Sequence, residues 1–318
     1  MVVIGGGTGL SVLLMGLKDY TDNLSAIVAV GDDGGSSGRL RRELGVLPPG
    51  DFRNCLVAMS DAEPLVTRLF QYRFNEGDGL QGHSFGNLFI AAMTNVTGSF
   101  EKAIYESSKV LAVHGHILPV TITNLSISAR MIDGAFVHGE SLIRSHKGSI
   151  DRILIDPEDA RAYPPVLKAI READAIVIGP GSLYTSILPN LLVSGIVDEI
   201  HAASAIKLYV CNVATEKGET DGYAVADHVE ALQRHTSSTI VDYVLADVNS
   251  RTLGPKFAGE SVIEGDRPIQ YAKLVTADIT DRGHAVRHDS ASLARAVFDI
   301  YDSRRKKKFS VFGSVKIT

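Results

Sequence analysis

Apolar and polar positions along the chain follow two periods, one typical of buried strands and one typical of helices with a single apolar face. The run "VVIGGG" is a short apolar strand that ends in glycines, and "TGLSVLLMGLK" places Leu10, Leu13, Leu14 and Leu17 on one helical face. Further buried strands are predicted at "LSAIVAV", "DAIVIGPGS", "KLYVCNV", "VDYVLAD" and "YAKLVTADI". Helices are predicted at "DFRNCLVAMS", "EPLVTRLFQYRF", "SFGNLFIAAMTN", "FEKAIYESSKVLAV", "PPVLKAIREA", "YAVADHVEALQRH" and "SASLARAVFDIYDS".

A different pattern interrupts this alternation in the middle of the chain. The segment "LSISARM" alternates strictly, Asp133-Gly134 marks a tight turn and "AFVHG" follows, which together indicate a β-hairpin. We therefore expect a single α/β domain over residues 1–318, built on a mostly parallel sheet, with an antiparallel hairpin extension at about 117–155. In such sheets a ligand binds beyond the carboxyl ends of the strands, where the strand order reverses.

Composition narrows the class of protein. The chain has 318 residues, 45% of them apolar, and a net charge of −5, so nucleic acid is not an expected partner. The one basic run, at 304–308, is typical of a solvated helix end. The two cysteines, Cys55 and Cys211, lack metal-ligand spacing, and no secretory signal precedes the first strand, so we expect a cytoplasmic protein. The longest apolar stretch is interrupted by Pro189 and Gly195, which argues against membrane insertion.

The first glycine-rich turn, "GGGTGLS", is the first candidate binding element. Gly6, Gly7 and Gly9 allow backbone to approach a ligand, the following helix offers free N–H groups, and Thr8 could cap that helix or bond a phosphate. The dinucleotide fingerprint requires a third glycine where Leu10 stands. Phosphate binding is the favoured interpretation, and a tight turn without a ligand is the alternative.

The stretch "VGDDGGSSGRLRREL" is more distinctive, because Asp32 and Asp33 are adjacent at the end of a strand. Neighbouring carboxylates stay ionised only beside donors, a cation or sugar hydroxyls. Ser36 and Ser37 offer hydroxyl donors, and Arg39 begins a group of arginines suited to phosphate. A solvated loop that opens a helix is the alternative.

Two further helix starts carry polar side chains. In "PPGDFRNCL", Asp51 is placed to cap a helix whose first turn holds Arg53 and Asn54; capping with a surface arginine and a ligand contact by Arg53 are both open. In "GHSFGN", a glycine-flanked helix start suggests anion contact, although a lone histidine is more often structural. The polar residues of this second start are His83, Ser84 and Asn87.

A second glycine-rich turn, "IGPGSLYTSILPNL", ends a later strand and resembles another phosphate or sugar site. Its candidate residues are Gly181, Ser182, Tyr184 and Thr185. It is not a G-x-S-x-G nucleophile elbow, so no catalytic serine is predicted and the catalytic residues stay unknown. No Walker-type lysine follows any glycine-rich turn, which argues against a nucleotide triphosphatase.

Taken in order, "VIGGGTGLSVLL", "DDGGSSGRLR", "PPGDFRNCL", "GHSFGNL" and "IGPGSLYTSILPNLL" closely resemble the gluconeogenesis factor family, a branch of the superfamily that includes the phospholactate transferases of deazaflavin-coenzyme synthesis. The resemblance runs from the first residues to about Asp289. It implies a cytoplasmic protein with a Rossmann-like three-layer fold that binds UDP-sugars such as UDP-N-acetylglucosamine and acts in gluconeogenic growth and cell shape. No established enzymatic activity is implied.

Carried over by position, the resemblance implies nucleotide-sugar contacts at Gly6, Gly7, Thr8, Asp32, Asp33 and the "GPGSLYT" turn, and it matches a late Arg-His pair to Arg287 and His288. It implies no bound cofactor beyond the UDP-sugar, and a divalent metal is left open, with no metal ligand assigned. The oligomeric state, including a homodimer, and any protein partner are also left open.

Three functions compete. The first is a UDP-sugar sensor without catalysis. The second is a transferase of the phospholactate type that moves a phosphoryl-linked group to a deazaflavin-like acceptor, with Asp32 or Asp33 holding a metal or the acceptor. The third is a nicotinamide oxidoreductase, which Leu10 and the doubled acid disfavour. Binding turns serve the first two functions equally, so turnover of a bound ligand would distinguish them.

Overall fold

A computed structural model describes residues 1–146, 148–249, 253, 257 and 259–312, with side chains described up to residue 304. Its strands are β1 Val2–Gly5, β2 Ser25–Val28, β3 His116–Pro119, β4 Ser126–Met131, β5 Phe136–His138, β6 Ile150–Asp156, β7 Ala175–Ile178, β8 Ile206–Val210, β9 Tyr243–Asp247 and β10 Lys273–Ala277.

The helices account for most of the remaining chain. They are α1 Gly7–Leu17, α2 Gly35–Leu44, α3 Gly50–Ala58, α4 Pro64–Gln71, α5 Phe85–Thr97, α6 Phe100–Val110, α7 Glu140–Ser145, α8 Pro164–Arg171, α9 Leu188–Leu192, α10 Ile196–Ala202, α11 Val225–Thr236 and α12 Ser290–Phe312, with a π-helix at Leu183–Ile187. Of these described helices, none is long and apolar enough to cross a membrane.

Seven strands form one parallel sheet in the order β10-β9-β8-β7-β1-β2-β3. The chain builds outward from β1 through β2 to β3, and then returns to β7 on the other side of β1 and builds toward β10. The strand order therefore reverses between β1 and β7. Because ligands bind at such a reversal in open α/β sheets, the two glycine-rich turns that follow these strands lie at the position expected for a site.

The central strands are buried along their whole length. β1, β2 and β7 have no exposed position. Continuous burial of this kind is what a parallel strand covered on both faces requires, and it explains why these strands are apolar throughout instead of alternating. The α/β fold with a mostly parallel sheet is thus confirmed.

The three strands β4, β5 and β6 form a separate antiparallel sheet in the order β5-β4-β6. The strict alternation that predicted the hairpin is visible in β4, where buried positions alternate with exposed or half-buried ones. The antiparallel strands span 126–156, whereas residues 116–119, which overlap the start of the predicted range, pair in parallel with β2 at the edge of the main sheet. The hairpin insertion is confirmed. That the whole chain forms one domain stays a prediction.

Several elements have no counterpart in the predicted pattern. Helix α2 begins at Gly35, so Ser36 and Ser37 lie in its first turn and are buried, although the interpretation from sequence placed them in a loop. Helices α7, α9 and α10 and the π-helix are short, between five and seven residues. The side chains of the basic run beyond Arg304 lie outside the described part of the chain.

Candidate functional site

The first glycine-rich turn joins β1 to α1, and its helix start is occupied by an acid from another helix. The N–H of Gly7 donates a hydrogen bond to Asp51 Oδ2 at 2.6 Å. Asp51 lies in the first turn of α3 but makes no capping bond there. The capping role expected for Asp51 at its own helix is therefore not observed, because the carboxylate instead accepts the N–H at the start of α1.

The environment of this carboxylate favours its protonated form. Burial raises the pKa of Asp51 to about 6, and the negative charge of Asp32 adds to the increase, while the Gly7 N–H, Arg144 and Arg53 oppose it. A carboxyl group that titrates near neutral pH can exchange a proton with a bound ligand under physiological conditions. Asp51 is therefore a candidate acid or base, which the glycine pattern alone did not indicate.

The second glycine-rich turn joins β7 to the π-helix, and side chains surround it. Ser182 Oγ donates to Glu216 Oε2 at 2.6 Å and accepts from Arg144 Nη2 at 2.8 Å. Thr185 Oγ1 donates to Glu219 Oε1 at 3.0 Å, and the N–H of Tyr184 donates to Glu219 Oε2 at 3.3 Å. An internal carboxylate thus accepts a backbone N–H at this turn as well.

The two turns are in backbone contact with each other. A Cβ atom on Gly9 would lie 2.9 Å from the carbonyl of Pro180, and one on Gly181, whose φ is +153°, would lie 2.9 Å from the Gly6 carbonyl oxygen. Such distances leave no room for a side chain. The glycines at these two positions are therefore explained by the close approach of the turns, in addition to any ligand.

A cleft of about 370 Å³ opens beside the paired turns. Thr8 and Gly9 line it from the first turn, Ser182 lines it from the second, and Arg144 and Arg287 supply positive charge. Predicted residues from three distant segments therefore meet in one cleft. Arg144 also lines this cleft but was not predicted from the sequence. The backbone of Arg287 is fixed by bonds between its N–H and the His284 carbonyl and between its carbonyl and the Asp281 N–H.

His288 also lines the cleft but is directed toward the protein. Its Nε2 lies 3.2 Å from the Cys211 carbonyl oxygen, and burial lowers the pKa of His288 to about 4. A neutral imidazole whose Nε2–H donates to this carbonyl fits both observations. His288 therefore supports the wall of the cleft, and Arg287 supplies its charge.

The paired aspartates point in different directions. Asp32 Oδ1 accepts the Gly34 N–H at 2.9 Å, within its own loop. Asp33 Oδ1 accepts both the N–H of Ser141 at 3.0 Å and the Ser141 hydroxyl at 2.7 Å. Asp33 therefore connects the loop after β2 to α7 of the antiparallel layer, whereas the charge of Asp32 contributes to the raised pKa of Asp51.

A buried polar cluster lies where α2 and α3 meet the start of α5. Ser36 Oγ lies 2.9 Å from His83 Nδ1 and accepts from Asn87 Nδ2 at 3.1 Å. Arg53 donates to Ser84 Oγ at 2.6 Å and to Asn54 Oδ1 at 2.7 Å. In the described part of the chain, Arg53 Nε and Asn87 Oδ1 have no hydrogen-bond partner.

The predicted residues thus form two main groups. Those that line the cleft are Thr8, Gly9, Ser182 and Arg287, and those of the buried polar cluster are Ser36, Arg53, Asn54, His83, Ser84 and Asn87. The side chains of Asp33, Ser37, Arg39 and Tyr184 make their hydrogen bonds outside both groups. Arg39 donates to the Gln81 carbonyl oxygen at 2.7 Å, and the side chain of Tyr184 is fully buried with its hydroxyl 2.7 Å from that of Tyr223. Ser37 Oγ accepts the Gly50 N–H at 3.1 Å, which joins α2 to the start of α3.

Sequence reasoning missed a group of charged residues around Arg144. Glu140 lies one helical turn before it in α7, and Glu216 and Glu219 follow β8. Burial raises the pKa of Glu140 to about 8 and that of Glu219 to about 7. The spacing of Glu140 and Arg144 by four residues was a visible signal, but it is also typical of an ordinary helix surface pair.

The described residues include no group of three or more histidine, cysteine, aspartate or glutamate side chains arranged to hold a metal ion. Asp32 is close enough for its charge to raise the pKa of Asp51, but within the described residues the two do not form such a group with a third ligand. Binding of a divalent metal therefore stays a prediction, to be tested together with ligand binding.

Comparison with known proteins gives a consistent result. Residues 1–290 match the family described as 2-phospho-L-lactate transferase CofD. The chain is 47% identical over 310 residues to the gluconeogenesis factor of Bacillus subtilis, and the match covers 94% of this chain and 97% of that protein. It is also 47% identical over 307 residues to the gluconeogenesis factor of Halalkalibacterium halodurans, and that match covers 94% of this chain and 95% of the relative. A crystal structure of a Bacillus halodurans protein superposes with a TM-score of 0.89 at 46% identity, covering 93% of this chain and 98% of the other.

Proposed function

We propose that this chain, which belongs to the 2-phospho-L-lactate transferase CofD family, binds a UDP-sugar of the UDP-N-acetylglucosamine type in the cleft between its two glycine-rich turns. The proposal further makes the protein a cytoplasmic regulator in gluconeogenic growth and cell-shape control. The gluconeogenic part is supported by the names of the Bacillus subtilis and Halalkalibacterium halodurans relatives.

One observation carries the binding proposal. Residues from three segments far apart in the chain line a single cleft at the strand-order reversal, and they combine the chemistry that a diphosphate needs. Thr8 is exposed at the start of α1, Gly9 leaves its backbone accessible, and Arg287 brings a guanidinium that can contact two phosphate oxygens at once. The proposal also assigns the carboxylates of Asp32 and Asp33 to sugar hydroxyls, because they follow β2, the strand beside β1.

The second candidate is a phospholactate-type transferase, and the family match favours it. Its specific structural support is Asp51, a buried carboxyl group with a pKa of about 6 beside the first turn. Such a group could take the proton of an acceptor hydroxyl while that oxygen bonds to the phosphorus of the transferred group, and the bond from this phosphorus to the donor breaks so that the donor leaves with the electron pair. In this candidate Asp32 or Asp33 would hold a metal ion or the acceptor.

A calorimetric titration distinguishes these candidates. The parent protein would be titrated with UDP-N-acetylglucosamine, UDP, GDP, NAD and a deazaflavin, with and without Mg²⁺, and each mixture that binds would be analysed for products. We expect saturable binding of the UDP-sugar without turnover. Binding only of GDP or the deazaflavin, or appearance of a product, would favour the transferase, and a diphosphate bound elsewhere in a liganded structure would contradict the assigned site.

The paired acids provide a second test. Asp32→Asn and Asp33→Asn remove one charge each from partly exposed loop positions that contribute little to the core. We expect each to weaken UDP-sugar binding by roughly 1.5–3 kcal/mol, the cost of a lost charge-assisted hydrogen bond, with a nearly unchanged melting temperature. Because Asp33 also bonds Ser141, Ser141→Ala is the matched control for the loss of that contact alone. Parent affinity in both aspartate variants would remove the loop from the site.

A further inference from the structure

Arg144 crosses from the antiparallel layer to the second glycine-rich turn, and neither glycine patterns nor family motifs indicate it. It belongs to α7, which follows strand β5 of the small sheet. Its side chain reaches Ser182, 38 residues further along the chain, and lines the same cleft as Thr8, Gly9 and Arg287. Two arginines from unrelated segments therefore border one cleft of about 370 Å³.

The guanidinium is held firmly on one side. Its Nη2 donates to Ser182 Oγ at 2.8 Å and to Thr185 Oγ1 at 3.3 Å, and it lies 3.2 Å from Glu140 Oε1. Its Nε lies 3.3 Å from Glu219 Oε1. These contacts fix the plane of the group before any ligand arrives, which lowers the entropic cost of a further bond.

The other side of the guanidinium is open. Within the described residues, Nη1 has no hydrogen-bond or ion-pair partner, and the side chain remains 47% exposed despite its four contacts. Because Arg144 lines the cleft, this exposed portion is accessible to whatever enters it. An oriented guanidinium with free donors at a cleft wall is suited to an oxyanion with two or more oxygens.

At the first turn, one backbone donor that a phosphate would use is already occupied. The Gly7 N–H, a donor that a phosphate would use at the start of α1, is already bonded to Asp51. Glu216 lines the cleft, and both of its oxygens are bonded, one to Ser182 Oγ at 2.6 Å and one to Asn212 Nδ2 at 3.0 Å. The positive charge for a diphosphate must therefore come from side chains, and Arg287 alone supplies a single charge against the two or more of a diphosphate.

We propose that Arg144 binds the diphosphate directly through its exposed N–H groups, opposite Arg287, and that Ser182, Thr185 and Glu219 position it for this contact. This inference rests on the proposed function for the identity of the nucleotide. The proposed contact with an anion does not depend on that function, because inorganic pyrophosphate presents the same oxygens. A purely structural Arg144, which would only join the two layers through its ion pairs, is the alternative.

The test compares three variants with two probes, UDP-N-acetylglucosamine and inorganic pyrophosphate, titrated by calorimetry at fixed pH and salt. Arg144→Ala removes the guanidinium, and Arg144→Lys keeps the charge and the aliphatic stem but loses the planar fork. Arg130→Ala is the matched control, because Arg130 lies on β4 of the same layer, is also 47% exposed and also pairs with an acid, Asp151, but does not line the cleft. Melting temperatures of the unliganded variants report folding.

We expect Arg144→Ala to weaken binding of both probes at least tenfold, Arg144→Lys to bind with intermediate affinity and Arg130→Ala to match the parent. If Arg144→Lys and Arg144→Ala keep the parent's pyrophosphate affinity and differ from the parent only in a lower melting temperature, Arg144 is structural and the proposal is wrong. If the parent binds pyrophosphate in an Arg144-dependent manner but no UDP-sugar, the proposed function fails and the assignment of Arg144 stands. A parent that binds neither probe overturns both.

Discussion

The two glycine-rich turns at the strand-order reversal share a sequence signal but differ in their surroundings. At the first, the N–H of Gly7 donates to Asp51 and Gly9 lies against the backbone of Pro180. The second is surrounded by side chains, since Ser182 and Thr185 bond to carboxylates of the segment after β8 and to Arg144. Glycine in a sequence therefore marks where backbones approach each other or a ligand, but it does not show which charges surround that position.

The strongest expected effect tests whether the two turns depend on each other. Gly9→Ala would place a Cβ atom 2.9 Å from the Pro180 carbonyl, where only backbone could move. We expect a loss of about 1–3 kcal/mol in the free energy of unfolding, as for overpacked sites, together with weaker UDP-sugar binding. Chemical denaturation and calorimetry measure the two effects.

Gly5→Ala is the control within the same turn. A Cβ atom there would have its nearest contact at 3.5 Å, an ordinary van der Waals distance, and the backbone needs no positive φ. We expect it to cost clearly less than Gly9→Ala. Equal losses from the two variants would show that the contact between the turns does not explain the glycine at position 9.

The next prediction concerns Arg287, which supplies positive charge to the cleft beside the two turns. Arg287→Ala should weaken UDP-sugar binding at least tenfold, about 1.4 kcal/mol, with little change in the melting temperature of the unliganded protein. Arg287→Lys should fall between this variant and the parent, because lysine keeps the charge but cannot contact two phosphate oxygens in one plane. Unchanged affinity in Arg287→Ala would make this residue an ordinary surface charge.

The smallest expected effect is a pH dependence of stability, caused by buried acids near the two turns. Glu140, which pairs with Arg144, has a pKa raised by burial to about 8, and Asp51 has one of about 6. A raised pKa means that the folded state binds more protons than the unfolded state, so this stabilisation is complete at low pH and is lost as pH rises. For Glu140 the loss extends from near pH 4.5 to about pH 8.

Glu140→Gln should therefore reduce the fall in melting temperature between pH 6 and pH 8, measured by differential scanning calorimetry without ligand. Glu106→Gln on the exposed surface of α6, where Glu106 pairs with Lys109, is the control and should keep the slope of the parent. A parent whose melting temperature rises over this interval, or a Glu140→Gln variant with the parent's slope, would contradict the assignment.

The sequence predicted the centre of the main sheet well because β1 and β7 are apolar runs followed by glycine-rich turns, and burial on both faces produces such runs. It failed at short elements. β3 is half-exposed and lies next to the antiparallel segment in sequence, so it lacks the continuous apolar run of β1, β2 and β7. Helix α7 has only six residues, which is too short to show a helical period. Helix α2 was missed at its start because small residues in "GGSS" are typical of loops, although Ser36 and Ser37 are buried in its first turn.

Prediction of the candidate site was limited by distance along the chain. Asp33 and Ser141 are separated by 108 residues, and Gly7 and Asp51 by 44. One sequence shows that such residues are polar and near turns, but it does not show which of them meet. Arg144 has no glycine beside it and was not identified, and Glu140 and Glu219 were also missed although Gly139 and Gly218 directly precede them.

The position of β1 has a consequence for synthesis of the chain on the ribosome. β1 pairs on one side with β2, which emerges soon after it, and on the other side with β7, whose first residue is Ala175. At about 5–20 residues per second, roughly 7–30 s separate the two partners. Throughout that interval an apolar strand edge of the nascent chain is unpaired and open to chaperones or to other chains. Arg287 and the α12 helix that packs against α1 are made later still, so the cleft is completed only after both of them have emerged.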